Sequence, residues 1–309
     1  MDMPEFKERF IERYSKLTEF DLFKDYSLRY LRRSIRVNTL KTTVPDIKKR
    51  LEKNWILTPI PWCKEGFWLE HKEGRKDVGN LKEHVLGYVF IQEAASMIPP
   101  IVLDPKPGEC ILDMAASPGS KATQIAQYME NKGVLVANDY KLDRIKSLGL
   151  NMQRMGVNNN LITMMEGRFF KGLQFDRILL DAHCSGTGTI RKSLKTIRIW
   201  NPNMIRRLAG TQKQLLKTAF SNLKPGGTLV YSTCSLEPEE DEAIISNFIQ
   251  EHSDCRLENI QLAGLKKAEP VTEFEGTRYD PEVKRCLRIW PQDNDTEGFF
   301  VAKIKKSEA

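Results

Sequence analysis

The 309-residue sequence has no uninterrupted apolar run of about 18 residues, the length a membrane-spanning helix requires. Its opening stretch, MDMPEFKERFIERY, is charged throughout and has no apolar core of a secretory signal. The expectation is a cytoplasmic protein with no membrane partner. Paired CxxC spacing is also missing. Cys63, Cys110, Cys184, Cys234, Cys255 and Cys286 stand far apart, which argues against a zinc or redox site, and no metal is expected. In a reducing compartment these are free thiols, and a free cysteine is ordinarily a small buried apolar residue. Internal repeats and low-complexity tracts are absent. One further lack is local: from Ala182 to Leu236 there is no acidic residue, while nine are basic, Arg191, Lys192, Lys195, Arg198, Arg206 and Arg207 among them.

The formal net charge is +7, and its distribution says more than its size. Between Arg29 and Lys76, 13 Lys and Arg stand against 5 Asp and Glu, interleaved with Tyr30, Trp55, Trp62, Phe67 and Trp68. Cations attract phosphates and aromatic rings stack on unpaired bases, so both stretches point to RNA as the partner.

The first hundred or so residues mix short helical patterns with strand-like pieces at Ile56–Pro61 and Phe67–Glu70. The turn-rich DPKPG at Asp104–Gly108 marks a boundary, which predicts an α+β RNA-binding region over residues 1–104 and a catalytic domain over 105–309. Beyond it, apolar strand candidates at Cys110–Met114, Val134–Ala137, Leu161–Met164, Arg177–Leu180 and Thr228–Tyr231 alternate with helical stretches at Lys141–Met155, Met204–Leu223 and Glu240–Glu251. Continuous apolar strands between helices predict an α/β fold, a mostly parallel sheet covered on both faces. Two last strands, Arg285–Ile289 and Phe299–Ile304, joined by the polar PQDNDTEG, predict an antiparallel hairpin that finishes the sheet.

In such a sheet a ligand sits beyond the carboxyl ends of the strands. The loop after the first parallel strand reads Asp113, Met114, Ala115, Ala116, Ser117, Pro118, Gly119, Ser120, Lys121. Small residues allow close backbone approach, and the helix from about Lys121 presents free N–H groups. Ser120 before the lysine rules out a phosphate-binding P-loop, and the absence of GxGxxG disfavours nicotinamide cofactors. Twenty residues past Gly119, Asp139 ends the second strand, where a carboxylate can accept both hydroxyls of a ribose. The ordinary alternative for Asp139 is a helix cap. The fourth and fifth strands run into Asp181, Ala182, His183, Cys184 and into Ser232, Thr233, Cys234, which places both cysteines on the rim where substrates bind. Two rim thiols without metal spacing suit covalent chemistry.

These residues resemble the Sun/Nop family of RNA 5-methylcytosine methyltransferases. The match runs from about Arg36 to Ile304 and includes RVNTL (36–40), QEAAS (92–96), DMAASPGSKAT (113–123), DAHCSGTG (181–188), YSTCSLEPEE (231–240) and GFFVAKI (298–304). The resemblance implies a Rossmann-like class I methyltransferase sheet. It also implies S-adenosylmethionine held by Ala116, Ser117, Pro118, Gly119, Ser120 and Lys121 together with Asp139 and Arg144. Glu166 stands near the adenine, and Asp181 serves cofactor and catalysis alike. Cys234 would attack C6 of a cytosine in tRNA or rRNA, and Cys184 would remove the C5 proton. A thiolate is needed, and the acid-free basic stretch is expected to favour it. His183 replaces the family's proline. It either fills space or works as a base on the exocyclic amine, which would direct methyl transfer to N4 with Asp181 and His183 and without a covalent adduct. A catalytically silent RNA chaperone or ribosome-assembly factor on the same scaffold is the third reading.

Overall fold

A computed structural model describes residues 5–308. Two short helices, Glu8–Tyr14 and Phe20–Leu28, precede a four-stranded antiparallel sheet in the order β2-β3-β1-β4, built from β1 (Arg33–Val37), β2 (Trp55–Ile60), β3 (Cys63–His71) and β4 (Val89–Ile91). Ile35, Val37 and Phe67 of these strands bury themselves against Ile47 and Leu51 of the helix Val44–Leu51.

The larger sheet contains β5 (Cys110–Asp113), β6 (Val134–Asp139), β7 (Asn160–Met164), β8 (Phe175–Asp181), β9 (Leu223–Thr233) and β10 (Cys255–Glu258). A two-stranded hairpin of β11 (Glu273–Phe274) and β12 (Thr277–Arg278) stands apart, and β13 (Leu287–Ile289) and β14 (Phe299–Lys306) close the chain. The order is β10-β14-β9-β8-β5-β6-β7, with β5 through β9 parallel and β14 antiparallel to β9. The central strands are buried on both faces, whereas the edge strand β7 departs from the expected cover, with Leu161, Ile162 and Met164 exposed. Ile111 packs with Ile125 and Leu148 on one side, while its neighbour Leu112 packs with Leu216 and Ile245 on the other. Neither sequence neighbour can face water, so alternation is lost and the strand reads as one apolar run.

The hairpin differs from the expectation in one respect. β14 is not the last strand, because β10 pairs with its Lys303–Lys306 end and β13 with its Phe299–Val301 end. β10 is CRLE, four residues with only Leu257 buried, too short and too polar for periodicity to reveal. Among the described residues no helix is long and apolar enough to cross a membrane.

Chain order fixes where the cleft opens. From β5 the chain builds outward through β6 and β7, then returns to the other side of β5 to form β8 and β9. The strands' carboxyl ends diverge at this reversal, and the loops after β5 and β8 face each other across it.

Candidate active site

The loop after β5 lines a small cleft of about 40 Å³ with Asp113, Ala115, Ala116, Ser117, Pro118, Ser120, Lys121 and Asp181. Gly119 has φ 108° and its Cβ position lies 3.2 Å from Leu148 Cδ1, so a side chain there would be strained as well as crowded. The helix Ser120–Tyr128 starts directly behind it. Asp113 is buried, and neither carboxylate oxygen meets hydrogen-bond geometry with any described residue. Burial, and next the charge of Asp181, push its carboxyl up to about 7 against the pull of Lys121. A buried carboxylate without a hydrogen-bond partner among the described residues calls for an explanation, and this one lines the cleft.

Asp139 ends β6 as expected, but its oxygens are occupied. They accept from the backbone N–H of Tyr140 (2.8 Å) and of Ser117 (3.3 Å), and from Arg144 Nε (2.9 Å). Arg144 also donates to the Ser117 carbonyl at 3.0 Å, so the carboxylate braces the loop. Glu166 lies outside the cleft lining and pairs with Arg168.

The two cysteines converge. Cys184 Sγ and Cys234 Sγ are 3.2 Å apart, from loops separated by 50 residues of sequence. The thiol of Cys184 is pushed well above its usual range, first by its hydrogen bond to Cys234, then by burial and by Glu240. Cys184 therefore keeps its proton, and either sulfur can be the donor in the contact between them. The two loops are clamped from below by Glu240, which accepts from the Ser185 N–H (3.0 Å), the Ser185 hydroxyl, the Ser235 hydroxyl (2.6 Å) and Gln212 Nε2 (3.0 Å). Gly188 N–H donates to the Cys234 carbonyl at 2.9 Å, and a Cβ on Gly188 would lie 2.2 Å from the Gly298 carbonyl oxygen, closer than any atom can approach.

Asp181 is held by Lys121 Nζ (2.7 Å) and by the Ser232 hydroxyl (2.7 Å). Lys121 carries a raised pKa although burial opposes its charge, because Asp181, and further off Cys234 and Asp113, favour the ammonium. This lysine is a cation whose charge couples to Cys234. The acid-free stretch contributes less than its composition suggests, since Arg191 pairs with Asp295 (2.7 Å), Lys213 and Lys217 with Glu251 (2.7 and 2.6 Å) and Lys224 with Asp176 (2.7 Å). His183 is exposed, and its pKa is lowered by partial burial and by Arg144 and Lys141, so its ring answers to the charges of the Asp139 side rather than to the thiols.

Sequence reasoning singled out neither Glu240 and Gln212 nor the carboxylates beside them. Glu237 accepts from Arg13 (2.8 Å), Tyr14 (2.8 Å) and Trp200 (2.8 Å), and Arg288 joins Asp241 (3.1 Å) to Glu242 (2.6 Å). The available signal was position: five acids in six residues, Glu237 to Glu242, close directly on an acid-free stretch. Arg36 of RVNTL is likewise buried, donating to Gln92 (2.9 Å), Thr123 (2.9 Å) and Gln127, and so fastens β1 to the helix behind the cleft loop.

The family model described as 16S rRNA methyltransferase RsmB/F matches residues 100–305, and the model for the N-terminal domain of 16S rRNA methyltransferase RsmF matches residues 6–94. A tRNA (cytosine(49)-C(5))-methyltransferase of Pyrococcus abyssi is 49% identical over 308 residues, covering 98% of both chains. Ribosomal RNA small subunit methyltransferase F of Vibrio parahaemolyticus is 45% identical over 284 residues; the match takes in 90% of this chain and 58% of that relative, so the chain spans little more than half its length. Among solved structures, a methyltransferase homolog protein from Pyrococcus horikoshii superposes with TM-score 0.82 at 37% identity over 97% of this chain and 99% of its own. NSun6 from the same organism, crystallised with an S-adenosylmethionine analogue, shares the fold with TM-score 0.84 at 24% identity, over 98% and 99% of the two chains. The chain belongs to the RsmB/F, or Sun/Nop, family of S-adenosylmethionine-dependent RNA methyltransferases.

Proposed function

We propose that this enzyme methylates C5 of a cytosine in RNA, with tRNA as the substrate and Cys234 as the nucleophile. The sulfur pair 3.2 Å apart at the strand ends carries the reading, because transfer to an exocyclic amine needs no thiol. The choice of tRNA rests on the relative matched along its whole length, which acts on tRNA, whereas the ribosomal relatives are matched over little more than half of theirs.

The residues present fit the cofactor. Asp113 offers an orphaned carboxylate to an ammonium, the Ala116–Lys121 loop offers small residues and helix N–H groups, and Asp139 with Arg144 holds that loop in shape. When bound, S-adenosylmethionine supplies an electrophilic methyl group. The protein's part is to make C5 nucleophilic. The Cys234 thiolate forms a bond to C6, and the C5–C6 π pair becomes available at C5. Cys184 donates a hydrogen bond to that thiolate, and its negative charge in turn favours the Lys121 ammonium. Once Cys234 is bonded to carbon, it no longer raises the Cys184 pKa as acceptor or as charge, although burial and Glu240 still do. Cys184 then gives its proton to water and takes the C5 proton. The C–H pair re-forms the double bond and expels Cys234 as thiolate, leaving 5-methylcytosine.

The test is Cys184→Ala on a tRNA transcript with S-adenosylmethionine present. Attack and methyl transfer remain while elimination stalls, so a protein–RNA conjugate is expected to survive denaturing electrophoresis, and Cys234→Ala is expected to form none. Measurable methylation by Cys234→Ala would overturn the thiolate route and point to the amine at N4, with His183→Ala then the damaging change.

A further inference from the structure

The N-terminal sheet carries its own pocket. It encloses about 360 Å³ along β2 and β3, within the size range of small-ligand sites, and it lies outside the cleft that holds the thiols. Its walls pair rings with cations. The Arg32 guanidinium lies 4.0 Å from the centroid of Trp68, and Trp62 meets Trp68 edge-on at 5.6 Å. Tyr30 is 49% exposed, its hydroxyl accepts from Arg33 Nε at 3.0 Å, and Lys76 Nζ stands 4.5 Å from its ring. Arg75 completes the basic rim, and Glu70 is the one carboxylate among the lining residues.

These cations divide into two kinds. Arg32 is anchored, paired with Asp295 at 2.8 Å and donating to the Asn294 carbonyl at 2.8 Å. Arg33 and Lys76 are exposed and take part in no ion pair among the described residues, so their charge is available to a ligand. Asp295 also holds Arg191, seven residues past Cys184, at 2.7 Å. Three residues beyond Asp295, the Gly298 N–H donates to Gly188, whose own N–H donates to the Cys234 carbonyl. A short chain of hydrogen bonds and ion pairs therefore joins the pocket to the thiol rim.

We propose that this pocket binds one unstacked nucleotide of the substrate RNA, close along the strand to the cytosine being methylated. The inference rests on the RNA reading above. An indole backed by a guanidinium, and a tyrosine beside it, present flat polarisable surfaces on which any base stacks, while Arg33 and Lys76 reach the phosphate. The target base must itself leave its stack, and holding a neighbour outside the stack keeps the strand open.

The experiment uses the full chain and an unmodified tRNA transcript in which single abasic nucleotides replace each position flanking the methylated cytosine. With wild-type enzyme, one flanking abasic site is expected to weaken binding by about tenfold or more, the scale of losing one stacked base. Tyr30→Ala with Lys76→Ala is expected to weaken the intact transcript similarly and to be indifferent to that abasic site, since the base and its pocket cannot be lost twice. Trp68→Phe is a milder second variant that keeps a ring and is expected to give a smaller loss with the same non-additivity. A transcript that is bound and methylated while every flanking abasic site leaves affinity unchanged, or whose abasic loss is undiminished in the double variant, overturns the pocket and leaves the RNA reading standing. Absence of RNA binding and methylation by the wild-type enzyme overturns both.

Discussion

Beneath the thiol loops, Glu237, Glu240, Asp241 and Glu242 are all buried, and each accepts hydrogen bonds from groups brought in from distant parts of the chain. At the N-terminal sheet, Arg33 and Lys76 stand exposed beside the Tyr30 ring, and Arg75, in the loop after β3, is exposed with only a loose partner in Glu73 at 3.6 Å. Both regions are rich in charge, yet they use it differently. A buried charge costs several kcal/mol to desolvate and persists only when bonded, so the acids under the loops act as fixed anchors for Cys184 and Cys234. An exposed charge costs little and holds nothing rigidly, which leaves it free to meet a phosphate. Asp113 is the exception that belongs to neither class: buried like the anchors, unpartnered like a binding group.

The largest expected effect comes from breaking an anchor. Arg288→Met leaves Asp241 and Glu242 buried without their cation, and urea unfolding is expected to show a loss of about 3–5 kcal/mol. Arg33→Met, on the exposed sheet, is expected to change stability by no more than about 0.5 kcal/mol. Equal losses from the two would erase the distinction.

Asp113 sharpens the comparison through pH. Its folded pKa of about 7 stands above the unfolded value, so the protonated form is favoured on folding. Its contribution to stability is full below about pH 4 and is lost as pH rises toward 7, with a slope of at most about 1.4 kcal/mol per unit. Cofactor binding runs the other way, because the ionised carboxylate is the form that accepts an ammonium. Calorimetry is expected to find S-adenosylmethionine affinity rising with pH up to about 7 in the wild type and flat across that range in Asp113→Asn. A parallel rise in both would remove Asp113 from the cofactor site.

The smallest effect belongs to exposed cations. Reversing Arg206 and Arg207, both exposed on the helix Pro202–Ser221, is expected to lower the salt slope of RNA binding by about 0.7–0.9 for each phosphate left without its cation, and to leave the unfolding midpoint in place. An unchanged slope would mean that RNA does not cross that helix.

The parallel sheet was legible because its central strands are apolar on both faces, because β7 is apolar although exposed, and because its helices carry local signals. Asn201 caps Pro202–Ser221 through Met204 N–H, and Gly156, at φ 74°, ends Leu142–Met155. The cleft loop and Asp139 were legible for a related reason, since a parallel strand's carboxyl end is a place that sequence order alone identifies. Local patterning could reveal neither which groups fill Asp139's lone pairs nor where β10 attaches, because both depend on residues far away in the chain.

The sequence by itself determined that two cysteines lie at strand ends, that a small-residue loop follows the first parallel strand, and that the charge is basic and interleaved with rings. Those properties follow from period, spacing and composition, which are local. Tertiary structure decided that the two sulfurs meet at 3.2 Å, that Lys121 couples to Cys234 while several cations of the acid-free stretch are paired elsewhere, and that Glu240 clamps both loops from below. It also decided that Arg36 reaches across from β1 to the helix behind the cofactor loop. Hydrogen bonds and ion pairs act over about 3 Å, and only the packed sheet brings within that distance groups that stand 50 or more residues apart along the chain.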